Sequence, residues 1–132
     1  MKKFWIAFVF FTLIISNVEA KKLHTYKASN GITYYAGDTI LLGQGSMPNG
    51  NFKYLQQAGM AAVLGYDKEK GDDQFNMGRE YSGRAVIIKG IYSEKYNGVE
   101  QVTFIVKGQE LSGLQLFIED AITSCEIMKC KQ

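Results

Sequence analysis

The chain has 132 residues, with 15 Lys and Arg against 13 Asp and Glu and a formal net charge of +2. A chain of this size can enclose one hydrophobic core and predicts one domain. So even a charge balance excludes the concentrated basic face that binding to nucleic acid or an anionic membrane requires. One histidine, His24, and two cysteines, Cys125 and Cys130, leave too few ligands for a zinc site, which takes four.

Residues 1–20, MKKFWIAFVFFTLIISNVEA, read as a Sec-type signal peptide. Lys2 and Lys3 supply the positive start, Phe4 to Ile15 the apolar run, and Val18-Glu19-Ala20 the small-residue cleavage site. The apolar run is too short for a bilayer, which needs about 20 residues, and no later stretch could span one. The expected arrangement is therefore a leader over 1–20 and a single β-rich domain over 21–132. The product would be periplasmic or extracellular, with no stable membrane span after cleavage. Loss of Lys2, Lys3 and Glu19 leaves 13 basic (15 − 2) and 12 acidic (13 − 1) residues.

Leu23–Ala28 predicts a first strand, and Asn30-Gly31 a hairpin into Ile32–Tyr35. Thr39–Leu42 resumes the extended run. Gly43 to Asn51, GQGSMPNGN, is a loop that imitates a phosphate cradle. Pro48 stands where G-x-G-x-x-G needs its third glycine, and Asn51-Phe52 stands where a P-loop needs Lys-Ser/Thr. Ser46 is not in a G-x-S-x-G elbow, so hydrolase motifs fail as well. No cofactor is expected.

Phe52–Gln57 and Met60–Tyr66 read as strands. Asp67 to Asp73, DKEKGDD, fails as a calcium loop, with Asp72 at the invariant glycine position and Gly78 at the glutamate position. It reads as a solvated turn. Gln74–Tyr81 reads as an irregular strand with Phe75 and Met77 inward.

The stretch Arg84–Gly108 organises the chain. Two β-rich runs, Ala85–Tyr92 and Val99–Lys107, meet through Asn97-Gly98, the strongest short-range hairpin signal. With that pair at the turn, Tyr96 faces Val99, Lys95 faces Glu100 and Ile91 faces Phe104. The alternation then fails near Ile88 and Lys89, and a β-bulge at Gly90 restores it. Gln109–Gly113 is a turn and Leu114–Phe117 a strand. Phe117–Glu126 is the one helix candidate, with Ile118, Ala121, Ile122 and Cys125 on one stripe and Glu119 and Asp120 in its first turn. Cys125 and Cys130, at C-x₄-C spacing in an exported chain, predict a structural disulfide.

The pattern predicts an all-β fold, with a β-rich α+β arrangement as the variant. The expected form is a small five-to-seven-strand barrel or sandwich, SH3-like or of the oligomer-binding type, with a short C-terminal helix. No catalytic motif is present, so the expected function is a non-enzymatic protein-binding or inhibitory module. Tyr34, Tyr35, Tyr81, Tyr92 and Tyr96 are the expected recognition residues, because tyrosine joins an apolar body to a polar tip. The alternatives are a structural or accessory subunit of an envelope assembly and a small carboxylate-dependent hydrolase. Oligomeric state is not legible in the sequence.

Overall fold

The computed structural model describes residues 20–58, 72–108 and 113–130. The leader up to Glu19, the expected strand Met60–Tyr66 and the first part of the charged turn from Asp67 lie outside the described residues. So does most of the turn that begins at Gln109.

The hairpin at the centre of the chain is β6 (Ala85–Tyr96) and β7 (Val99–Lys107). Asn97 and Gly98 take φ of 51° and 79°, as the expected turn requires. Lys95 pairs with Glu100 and Ile91 with Phe104, in the predicted register. The register shifts between Ile88 and Gly90, leaving Lys89 as the extra residue of a bulge. That shift sets Ile88 opposite Val106, and both side chains are fully buried. A straight ladder would have turned one of them to solvent.

β8 (Leu114–Phe117) pairs with β7, and β5 (Leu55–Gln57) pairs with β8. The long β6 holds two strands on its other side: β4 (Thr39–Leu41) before the bulge and β1 (Ala20–Leu23) after it. β2 (Thr25–Lys27) and β3 (Thr33–Tyr35) form a separate two-stranded sheet. It packs by setting Tyr26 and Tyr34 edge-on to Phe104, with ring centroids 6.2 and 5.4 Å away. Every ladder is antiparallel. Val86, Ile88, Ile91, Phe104, Leu114 and Leu116 fill the core from one face of the large sheet.

Several expectations change. The expected strand Phe52–Gln57 is one only over Leu55–Gln57. The run Leu23–Ala28 is not one strand; it breaks at exposed His24, where the chain leaves the large sheet to start the small one. Gln74–Tyr81 is not a strand but parts of two 3-10 turns, Asp72–Phe75 and Arg79–Tyr81. Only Asn76 and Met77 run beside β5, and Met77 is buried as expected. The sheet is not a closed barrel of SH3-like or oligomer-binding type: among the described residues no ladder joins β5 to β1 or β4. The helix is shorter than predicted.

That helix, α1 (Ile118–Thr123), buries Ile118, Ala121 and Ile122 but stops before Cys125. Cys125 adopts a left-handed φ of 59°. Its N–H bonds the Ile122 carbonyl and the Glu126 N–H bonds the Ala121 carbonyl, the pair of bonds that defines a Schellman end. Cys125 and Cys130 are disulfide-bonded. The Schellman turn directs Glu126 and Ile127 into the core, where both are buried.

Glu126 is fully buried and its carboxylate accepts four hydrogen bonds. The Ser46 N–H (2.9 Å), the Ser46 hydroxyl (2.7 Å) and the Lys53 N–H (2.7 Å) donate to Oε2. The Tyr54 N–H (2.8 Å) donates to Oε1. Ile127 meanwhile bridges Leu42 just past β4. One short tail thus links the β4 end of the sheet to the chain entering β5.

Glu126→Gln keeps the shape but turns an amide NH₂ against these donors, leaving buried N–H groups unpaired. The expected loss is about 2–4 kcal/mol, read as a drop in Tm of at least ~8 °C. Amide exchange should accelerate at Ser46, Lys53 and Tyr54 before the β6–β7 ladder is affected.

Candidate functional site: the outer sheet face and the cleft at its end

The face of the sheet opposite the core is built in rows. One row runs Lys22–Tyr92–Thr103–Phe117 across β1, β6, β7 and β8. The next runs Gly90–Ile105–Gln115–Gln56 across β6, β7, β8 and β5. Strand alternation that sends Ile91, Phe104 and Leu116 inward necessarily sends Tyr92, Ile105 and Phe117 outward. The result is a face centred on Thr103, with Tyr92, Ile105 and Phe117 around it and Gln101, Gln115 and Glu94 beside them, lining a shallow hollow of about 630 Å³.

Gly90 fixes the position of the Tyr92 ring. A Cβ at residue 90 would lie 2.8 Å from Tyr92 Cε2 and 3.2 Å from its hydroxyl oxygen. The bulge glycine therefore makes room for the ring to lie over the strand, where it forms part of the floor.

Gln101 and Phe117 also line a second cleft, of about 430 Å³, at the end of the sheet. Val99, Val102 and the Tyr26 ring complete its apolar surface, and Glu100, Glu119 and Asp120 contribute three carboxylates. Tyr26 donates its hydroxyl to Glu119 (3.0 Å), which also accepts the Ser29 N–H (3.1 Å). Ser93 donates to Glu100 (2.8 Å). Partial burial pushes the Tyr26 phenol up to about 12; its bond to Glu119 and the negative charges of Glu119 and Glu100 act in the same direction. A third hollow, of about 470 Å³, lies between the β2–β3 hairpin, β4 and the tail, with Leu41 and Met128 at its rim.

The five tyrosines expected to form one recognition surface do not. Tyr34 is buried against Phe104 and accepts a hydrogen bond from Asn30 (3.0 Å). Tyr81 is buried too, with the Arg84 guanidinium over its ring. Both side chains serve the core, because period-two alternation and the 3-10 turn point them inward. Tyr35 is 52 % exposed but sits on the small sheet. Of the four whose side chains are described, Tyr92 joins the outer face; the Tyr96 side chain lies outside the described residues. Ile105 and Phe117 join Tyr92 on this face, and an isoleucine at an outward position of β7 is the legible signal for it. Glu126 carries no sequence signal at all. Among the described residues no group of three or more His, Cys, Asp or Glu is placed to hold a metal ion, and no helix is long and apolar enough to cross a membrane. No protein-family model, curated protein or solved structure matches the chain.

Gly90→Ala should lift the Tyr92 ring and cost about 1–2 kcal/mol, as overpacking does. In a Tyr92→Ala background the same change should cost less than half as much, a coupling that a double-mutant cycle measures directly.

The raised phenol also has a pH signature. A folded value near 12 against an ordinary 10 means that Tyr26 favours the fold fully below pH 10, and that this contribution disappears as pH rises through 12. Absorbance at 295 nm should show a late phenolate step near pH 12. Tyr26→Phe should abolish it and Glu119→Gln should move it down. A late step that survives Tyr26→Phe would reassign it to another phenol.

Proposed function

We propose that the protein is an exported, non-enzymatic binding module that engages a protein partner across the outer face of its sheet. The observation that carries this reading is the arrangement of that face. Tyr92, Ile105 and Phe117 flank Thr103, with Gln101, Gln115 and Glu94 beside them, the mixture of aromatic, aliphatic and polar groups that protein interfaces present. Tyr92 is a rigid aromatic anchor held in place by the Gly90 bulge, the kind of residue on which binding energy concentrates. Export is supported by the leader pattern of residues 1–20 and by the Cys125–Cys130 disulfide, a bond that persists in oxidising compartments.

The carboxylate-lined cleft favours a second reading, a small hydrolase, since glycoside hydrolysis uses two facing carboxyl groups. Against it, both Glu119 oxygens already accept hydrogen bonds, from Tyr26 and Ser29. A panel of chromogenic glycosides is expected to show no turnover. Turnover abolished by Asp120→Asn would install the hydrolase reading. A subunit that assembles through the same face is the remaining alternative, and a stable dimer in light scattering that Ile105→Lys dissolves would favour it.

The test is a partner captured from envelope and medium extract by the exported protein and then measured by titration. Tyr92→Ala and Ile105→Lys should each weaken that complex at least ~10-fold (about 1.4 kcal/mol), with the fold verified by circular dichroism. Tyr35→Ala, distant on the small sheet, should leave it unchanged. A complex indifferent to Tyr92 and Ile105 would exclude the outer face.

A further inference from the structure

The cleft at the end of the sheet differs from the outer face it adjoins. Its floor is apolar, formed by Phe117, Val99, Val102 and the Tyr26 ring, and Val99 is 68 % exposed. Among the described residues its charged lining is all negative, with no lysine, arginine or histidine, although the whole chain carries a net positive charge. Lys95 lies opposite Glu100 across the hairpin but is not part of the lining.

We infer that this cleft receives an arginine or lysine side chain of the protein partner, with its aliphatic stem along Phe117 and Val99 and its cation among Glu100, Glu119 and Asp120. The inference rests on the proposed protein-binding function and names the chemistry of the partner. Charge complementarity chooses the occupant, since the carboxylates repel an anionic side chain and offer an apolar one nothing, whereas they attract a cation. The apolar floor argues for a side chain over a free metal ion, because long basic residues lay their methylenes on apolar surface and keep the charged head among polar groups.

The carboxylates have capacity left. Glu100 uses Oε1 for the Ser93 hydroxyl, and among the described residues no hydrogen bond reaches its Oε2 or the Asp120 carboxylate. Glu119 is held in place by Tyr26 and Ser29, so one wall is preorganised. Arginine suits the site better than lysine. Its planar fork can meet two carboxylates and stack on an aromatic face, and both Phe117 and Tyr26 present rings here. Because Phe117 and Gln101 belong to cleft and outer face alike, a partner lying on the face reaches the cleft without a break in contact.

The experiment uses two small probes on the exported protein: acetyl-arginine methylamide, and acetyl-citrulline methylamide, which has the same shape without the charge. In two-dimensional amide NMR, the arginine probe should give saturable shifts at Gln101, Glu119 and Asp120, with a Kd on the order of millimolar. The citrulline probe should give none at the same concentration. Glu100→Gln combined with Asp120→Asn should weaken arginine binding at least ~5-fold. Raising sodium chloride from about 50 to about 500 mM on the unaltered protein should weaken it as well, by screening, and needs no variant to fold. Equal response to both probes, shifts elsewhere, or no shifts would overturn the assignment. Such a failure is separable from failure of the outer-face reading, which the Tyr92 and Ile105 variants test on the captured partner.

Discussion

A single buried carboxylate determines how this sheet is finished. The ladders leave β4 and β5 at opposite ends with no hydrogen bonds between them. Glu126 spans that gap through its side chain, accepting backbone N–H bonds from Lys53 and Tyr54 on the β5 side. Its neighbour Ile127 meanwhile bridges Leu42 on the β4 side. An ionisable group without solvent contact is costly unless its acceptors are met, and here three main-chain N–H groups and the Ser46 hydroxyl meet them. Loop and carboxylate satisfy each other: without Glu126 three of the loop's N–H groups lose this acceptor, and without the loop the carboxylate has no donors. Everything upstream serves this contact, since the Schellman end of α1 and the left-handed Cys125 aim the tail at it.

The parts of the fold legible in the sequence are those set by local chemistry. Asn97-Gly98 dictates a hairpin and its register, and the mismatch at Lys89 predicts the bulge. Leu114–Phe117 alternates and is a strand over those same residues. The failures came where a distant contact overrode a local pattern. Phe117–Glu126 has helical periodicity to its last residue, yet the tail's packing and the disulfide take Cys125 out of the stripe. Gln74–Tyr81 has strand-like spacing, but only its middle meets β5. The exposure of the tyrosines follows a related rule. A tyrosine's composition says that it can lie at a surface, while strand parity decides whether it does, and parity sends Tyr34 inward and Tyr35 outward.

The outer face and the cleft beside it arise from one piece of geometry. The bulge that keeps Ile88 in the core also places Gly90 where Tyr92 can lie across the strand. Twelve residues of continuous β6 then give the hairpin enough reach to bring Glu100 near α1. A shorter strand would bury the same core but would not carry the turn out to the Tyr26–Glu119 pair. Binding surface and core therefore share their determinants, and a substitution in the bulge would be felt on both sides of the sheet.

The glycines of the 43–51 loop have a consequence for ancestry. A Cβ on Gly43 would meet the Cys125 carbonyl oxygen at 2.6 Å, and one on Gly45 would collide with the backbone of Gly50 and Asn51. The loop thus touches the tail and itself main chain to main chain, and no side chain can evolve at either point without moving both. Relatives that have drifted beyond recognition elsewhere should keep a G-x-G in the first half of the chain and one acidic residue near its end. That glycine pair and the distant acidic residue would be a more durable family signature than the hairpin at its centre.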